Sequence, residues 1–457
     1  MNKMNEEFLV LPKIVKVESE AKLKQVTYPD ISMFNKEQLE IFNRITSLKV
    51  GEFSQTLLTG YSGTGKSFLV SKIIEAIVSK NKGANIGITA PTNKAVRVLK
   101  NLSSICETHG QVSFNTLHSL LGLKRIITHE GKEEYKPEYK FDDEFEFQVI
   151  FVDEVSMLEN HIYHLLIEKA KLYDIMLVFI GDRGQIPPVN GGESILFTKN
   201  IDNNFNLVDI IRQASGNPII TLAQQVRTNT IFLEETNVDE NNNGVIFLKI
   251  NTETPLLERY FKSENFSENH NFVKVLAWTN KAVDYYNDKI RKIIYGDDCG
   301  LLCVGEKMVT NKPILDSKKK VILNNNDEFE VISFGLKTEF REPKFSYYSV
   351  NIKVHGKRET IKILAEKSQD DYQKELKRLK DVAKNINGKA WSKYYAFLEK
   401  YADVKYNYAL TVHKSQGSTF DNAIVINCDI KRIRDNNEKN KLLYTAITRA
   451  KNKLFLI

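Results

Sequence analysis

The segment GYSGTGKS at residues 60–67 constrains this chain more than any other, because that residue order is useful in only one local geometry. It follows an apolar run, Gln55–Thr59, that reads as a strand. It opens a helix from about Ser67 to Lys80, with Leu69, Val70, Ile73, Ile74, Ile77 and Val78 spaced as its buried face. A glycine-rich turn between strand and helix lets successive backbone N–H groups face one concavity at φ values other residues resist. The helix N-terminus adds partial positive charge. Gly60, Gly63, Thr64 and Gly65 would shape the turn, Lys66 would reach the β and γ phosphates, and Ser67 would offer its hydroxyl to Mg²⁺. ATP and Mg²⁺ are the expected ligands.

A phosphate loop of this kind needs acidic partners. VIFVDE at 149–154 is an apolar strand ending in two carboxylates. Asp153 would hold Mg²⁺ through water, and Glu154 would act as general base on the attacking water. Gln185, four residues after Gly181, is a candidate γ-phosphate sensor. Kinases, transporters and clamp loaders share these parts, so they define an ATPase and nothing narrower.

The rest of the chain reads as alternating strands and helices. Ile86–Ala90, Val149–Val152 and Met176–Ile180 are strand-like, with a helical stretch at Lys94–Asn101, and this rhythm predicts an α/β fold with parallel sheets. A helix is predicted from about residue 34, with Phe34, Leu39, Phe42 and Ile45 on its apolar face, Asn35 as its cap and Gln38 completing a capping box. Residues 1–30 form a weakly patterned N-terminal arm, and 31–210 a first core. Within that core 124–147 reads as a charged hairpin or loop insertion. A second core spans 211–300 and 404–457, with strands at Phe272–Trp278, Tyr408–Thr411, Ala423–Ile426 and Lys453–Ile457 and helices at Asn280–Ile294 and Lys441–Ala450. Residues 301–403 form an insertion of short β runs followed by a charged helical arm from about Gln369 to Lys400, and 233–245 an exposed loop.

Composition adds exclusions. The net charge of +7 suits a polyanionic partner or simply a basic surface. Cys106, Cys299, Cys303 and Cys428 lack zinc-ribbon spacing and fit free thiols in a reducing compartment. No apolar stretch approaches the ~20 residues that span a bilayer. The start, MNKMNEEFLVLPKIVKVESE, lacks the pattern of a secretory signal. A cytoplasmic protein with no membrane partner is expected, in a bacterium or a phage-infected host.

Six further segments occur in order. APTNKA at 90–95, TLH at 116–118, VDEVSML at 152–158 and GDRGQIPPV at 181–189 resemble the first-core motifs of superfamily 1 helicases; TVHKSQGST at 411–419 and YTAITRAK at 444–451 resemble the second-core motifs. The resemblance runs from about 34 to 457. GDRGQIPPV has a Pro-Pro pair where class A relatives carry an aromatic residue, which places the resemblance in class B, nearest the Dda-, RecD- and Pif-like branch. That resemblance implies two RecA-like P-loop NTPase cores, a pin-like β-hairpin in the first matching 124–147, and a Src-homology-3-like β-barrel in the second matching the β-rich part of 301–403. It also implies a helical arm, for which 369–403 with Trp391 is the candidate. The activity it implies is ATP-dependent DNA unwinding with 5′ to 3′ movement on single-stranded DNA.

By the same resemblance Gln38 would contact adenine, Gly417 would approach the nucleotide or serve as a plain turn glycine, and Arg449 would be an arginine finger from the second core. Arg212, in IIRQ, would be a second phosphate-facing arginine. Pro91, Thr92, Asn93, Thr116, His118, Thr279, Asn280, Thr411, His413 and Lys414 match strand-contacting positions, mostly facing phosphate and sugar. His118 and His413 have a second reading, as buried histidines tying loops together. Trp278 could stack on a base or belong to the core. Tyr135, Tyr139 and Phe141 could split a duplex or brace their own hairpin. Expected partners are single-stranded DNA and forked or tailed duplex, with single-strand-binding or replisome proteins beyond them, and a monomeric state. Alternatives with the same residues are a translocase that displaces proteins and a P-loop ATPase acting as a loader.

Overall fold

The computed structural model describes residues 28–457 except 82, 92–95, 97–111, 128–132, 138–144, 188–191, 202, 210–215, 231–233, 317–320, 341–342, 355 and 387–388. Most of the expected N-terminal arm, Thr92, Asn93, Arg212, Tyr139, Phe141 and Cys106 therefore lie outside the described residues.

Helix α1 (Lys36–Thr46) opens the first core. Asn35 accepts from the Gln38 N–H at 2.7 Å and the Gln38 carboxamide accepts from the Asn35 N–H at 3.3 Å, closing the predicted capping box. Its buried face is Gln38, Ile41, Phe42 and Ile45; Leu39, expected there, is 38% exposed because helical periodicity turns it away from that stripe. Strand β1 (Ser54–Gly60) leads into α2 (Lys66–Lys80). The remaining strands are β2 (Ile86–Ala90), β3 (Val112–Thr116), β4 (Leu123–Ile127), β5 (Glu133–Pro137), β6 (Val149–Val152), β7 (Met176–Gly181) and β8 (Asn203–Leu207), with α3 (Asn160–Leu172) between β6 and β7. Six of them form one parallel sheet, in the order β3-β2-β6-β7-β1-β8. Its central strands are buried on both faces, which is why VIFV and MLVFIG are apolar throughout. Strands β4 and β5 pair separately as an antiparallel hairpin.

The second sheet repeats the design. Helix α4 (Pro218–Arg227) is followed by β9 (Asn237–Val238), β10 (Gly244–Phe247), β11 (Val273–Ala277) and α5 (Asn280–Tyr295). The expected 233–245 loop thus contains an antiparallel β9–β10 pair. A third sheet follows, built from β12 (Lys307–Thr310), β15 (Glu328–Thr338), β16 (Ser346–Val354), β17 (Lys357–Leu364) and β18 (Val404–Tyr406). A small pair, β13 (Ile314–Leu315) and β14 (Val321–Leu323), stands beside it. The third sheet is antiparallel, in the order β17-β16-β15-β12-β18, so residues 404–406 pair with the insertion. The helical stretch is two packed helices, α6 (Gln369–Ile386) and α7 (Lys389–Leu398). Trp391 is 5% exposed in a cluster with Ala383 and Tyr395, so it holds this helix pair together. The chain then returns through β19 (Ala409–Thr411), β20 (Phe420–Val425), α8 (Asn436–Ile447) and β21 (Ala450–Leu456), completing a sheet ordered β19-β11-β20-β21-β10-β9. Among the described residues no helix is long and apolar enough to cross a membrane.

Candidate nucleotide site between two cores

The phosphate loop leaves β1 at Gly60. Space there admits only glycine: a Cβ would stand 2.8 Å from Thr64 Oγ1 and 2.9 Å from Leu207 Cβ. Gly63 and Gly65 sit at φ 85° and 78°, the left-handed values that the turn demands. Lys66 folds back on the loop, donating to the carbonyls of Gly60 and Tyr61 at 2.5 and 3.0 Å. Its ammonium is thus parked where phosphate oxygens would compete for it. Ser67 is exposed on the first turn of α2. Gln38 is 2% exposed, and its amide donates to the Thr64 carbonyl at 3.3 Å, so it braces the loop as well as its own helix.

Strand β6 delivers the acidic pair. Asp153 is pinned by its N–H to the Thr89 carbonyl at 2.8 Å and accepts from the Glu154 N–H at 2.8 Å. Glu154 takes φ 53°, uncommon for a non-glycine residue, which turns its side chain out of strand geometry. Burial pushes both carboxyls up, Asp153 to about 7. Neighbouring Glu154 adds to the rise at Asp153, and Lys66 opposes it. Arg449 and Lys66 pull Glu154 back down, as does the Gly417 backbone amide, while Asp182 adds to the rise. Glu154 Oε2 and Gln185 Oε1 are buried without a hydrogen-bond partner among the described residues. Two orphaned acceptors beside a phosphate loop fit a site that awaits polar ligands. For Mg²⁺ the hard oxygens of Ser67 and Asp153 suit one wall, with phosphate oxygens and water completing the shell. The described residues contain no cluster of three or more acids, histidines or cysteines arranged to hold a metal by themselves.

The second core supplies the opposite wall. Arg449 follows the end of α8 and is 6% exposed, so it is not the helix-surface arginine that an α8 reaching Ala450 would make it. Its guanidinium is held by the Thr445 and Ser418 carbonyls and the Thr448 hydroxyl at 3.1–3.2 Å. Gly417 has φ 68°, so it is required by the turn and also lies beside Glu154. The segment 182–186 is stitched across the cleft. The Ile186 N–H donates to Thr445 Oγ1 at 3.3 Å, Gln416 Nε2 donates to the Ile186 carbonyl at 3.0 Å, and Ile186 packs into the second core's apolar cluster.

The strand-contacting candidates gather elsewhere. Thr116 and Thr411 end β3 and β19, Thr279 follows β11, and each hydroxyl accepts from the third amide of a following helix: Ser119, Lys414 and Ala282. The three threonines are thus N-caps first. Pro91, half-buried, follows β2, and exposed Asn280 opens α5. His118 packs its ring on Tyr135 of the hairpin, centroids 5.0 Å apart, and burial lowers its pKa. Burial also lowers the pKa of His413. Lys414 donates to Asn311 Oδ1 at 2.8 Å, reaching the inserted sheet. Trp278 packs partly into the core. Asp429 escaped sequence reasoning: its carboxylate accepts from the N–H groups of Trp278 and Thr279 at 3.0 and 2.8 Å and from the Thr279 hydroxyl.

One largely parallel sheet carries the phosphate loop and the acidic pair and a second carries Arg449, the layout of a two-core P-loop protein. The comparisons agree. Residues 33–245 match the family model of an AAA domain and residues 406–457 that of a UvrD-like helicase C-terminal domain. The chain is 27% identical over 464 residues to the ATP-dependent DNA helicase dda of Enterobacteria phage T4, covering 94% of this chain and 100% of that one. It is 25% identical to an uncharacterised protein of Acanthamoeba polyphaga mimivirus, over 92% of this chain and 99% of that protein. A Pif1 helicase solved in a study of unwinding at forked duplex DNA shares the fold, with TM-score 0.51 and 17% identity over 92% of this chain and 91% of that one. These matches, with the motifs in the same order, make the chain similar to the Dda-, RecD- and Pif1-like helicases of superfamily 1 class B.

Proposed function

We propose that this protein is an ATP-dependent DNA helicase that moves 5′ to 3′ along single-stranded DNA and unwinds duplex ahead of it. The observation that carries this is the split site: Lys66 and Glu154 stand on one core and Arg449 on the other, with Arg449 close enough to pull down the Glu154 carboxyl. A site that is complete only when two cores meet turns ATP binding into a closing force, provided ATP binds the closed state better. Glu154 would orient and deprotonate the attacking water. Lys66, Arg449 and Arg212 would stabilise charge on the transferring phosphoryl group, with Gln185 sensing the γ-phosphate. Ser67 and Asp153 would hold Mg²⁺, which when bound supplies positive charge against the β and γ phosphates. Gln38 would face adenine.

The strand ends named above support a DNA path. β2 and β3 form one edge of the first sheet, and β11 and β19 one edge of the second. Pro91, Thr92, Asn93, Thr116, His118, Thr279, Asn280, Thr411, His413 and Lys414 would then line one track across both cores, reading backbone and not bases. We read the third sheet as the Src-homology-3-like barrel, the β4–β5 hairpin braced by His118 as the pin, and α6–α7 as the arm. Lys66→Ala should keep binding to single-stranded DNA and lose DNA-stimulated ATP hydrolysis; persistent hydrolysis refutes the site. Duplexes with a 5′ or a 3′ tail test direction: unwinding only from the 3′ tail refutes the class B polarity. Parallel assays with RNA in place of DNA test the choice of nucleic acid.

A further inference from the structure

We propose that Tyr444 and Arg227 of the second core form a clamp on the outer shoulder of the phosphate loop, Tyr61–Ser62, and act as positioning residues that couple ATP turnover to nucleic-acid binding. The inference rests on the helicase reading above and adds to it residues that contact no substrate.

The geometry is specific. The Ser62 N–H donates to the Tyr444 hydroxyl at 3.0 Å, and that hydroxyl donates to Asp182 Oδ2 at 2.7 Å. One buried oxygen from α8 therefore joins the phosphate loop to the GDRGQ segment, both belonging to the other core. Asp182 Oδ1 in turn accepts from the Gly184 N–H at 2.8 Å. Gly184 lies directly against the Tyr444 ring, where a Cβ would stand 2.8 Å from its Cε1. Beside it, the Arg227 guanidinium at the end of α4 lies 3.6 Å from the centroid of the Tyr61 ring, and Tyr61 packs on the second core's apolar cluster. Among the described residues Arg227 Nε is buried without a hydrogen-bond partner, and the guanidinium stacks on Tyr61. Tyr61, Ser62, Thr64, Arg227 and Tyr444 enclose a small cavity of about 90 Å³.

The Tyr61 carbonyl is also one of the two that hold the Lys66 ammonium, the other being that of Gly60. A shift of the second core against the first must drag or release this shoulder, and with it the Lys66 ammonium. Helices α4 and α8 pack on each other, so Arg227 and Tyr444 move as one body. A nucleic-acid strand bridging the two cores would set their spacing, and the clamp would transmit that spacing to the loop.

The test is the ratio of ATP turnover with saturating oligo(dT) to turnover without it, in Tyr444→Phe and Arg227→Met. The first removes one oxygen and keeps the ring; the second removes the cation from a half-buried helix end and keeps an unbranched side chain. The expected result is a fall in the ratio of about tenfold in each, in the range of ordinary coupling between sites. A merely structural role would lower both rates together and leave the ratio alone. A ratio within about twofold of the parent in either folded variant overturns the clamp. If Tyr444→Phe does not fold, Arg227→Met decides alone. Failure of the unaltered protein to respond to oligo(dT) refutes the helicase reading, a different outcome from a parent that responds and variants that respond equally well.

Discussion

Glu154 and Arg449 show how the site divides its chemistry between single groups. Burial raises the Glu154 carboxyl, which is what a base working near neutrality requires, and the arginine opposite keeps it ionisable. Glu154→Gln preserves size and one acceptor but cannot take a proton. Turnover should fall by about 10²–10⁴ while ATP binding survives, as measured by single-turnover hydrolysis alongside nucleotide binding. Arg449→Lys should not restore what Arg449→Ala loses, because the fork that three carbonyl and hydroxyl oxygens now orient cannot be matched by a point charge. A loss of about 10³ in DNA-stimulated turnover is expected for both. Near-parental turnover by the lysine variant would mean the arginine contributes charge alone.

At the scale of elements, the strands and helices were legible where one pattern dominated. β6 and β7 announced themselves as apolar runs because both faces are buried, and α1 through its capping box. β8, with sequence NNFNL, escaped because it is an edge strand whose place is fixed by pairing with β1, a contact across more than a hundred residues. α8 starts earlier than its apolar residues suggest, since the Asp435 side chain caps it by accepting from the Glu438 N–H. The site followed the same rule. Lys66, Asp153, Glu154 and Arg449 lie in local motifs, whereas the Tyr444–Asp182–Ser62 bridge joins three motifs that only the packed cores bring together. Asp429 is a further case: it follows β20 and fastens the start of α5, leaving no local signature. Asp429→Ala would strand two amides and a hydroxyl, costing about 2 kcal/mol in urea unfolding, with Asp429→Asn losing less because it retains an acceptor. Equal stability of the alanine variant and the parent would show that water replaces the carboxylate without penalty.

For the whole molecule, the insertion must be joined rigidly to the second core if both are to move as one. The joint is a buried ion pair. Arg291 of α5 donates through Nε and an Nη to both oxygens of Glu306, at 2.6 and 3.1 Å, and to the Gly300 carbonyl at 2.7 Å. The Tyr408 hydroxyl donates to the same carboxylate at 3.1 Å, and the guanidinium lies 4.0 Å from the Tyr406 ring centroid. Arg291 and Glu306 are 5% and 0% exposed, so each charge depends on the other for solvation. Breaking the pair from one side leaves an uncompensated buried charge, and Arg291→Met or Glu306→Leu alone should each cost about 3–5 kcal/mol. The double variant removes both charges and should recover much of that loss, giving a strongly non-additive cycle in urea unfolding. Additive losses would mean that the two groups stabilise the fold through separate partners, with Tyr408 and Gly300 carrying the joint. A stable double variant has a second use. If it folds well yet unwinds less duplex per ATP hydrolysed, the pair serves to keep the insertion in step with the second core, and stability is the lesser part of its role.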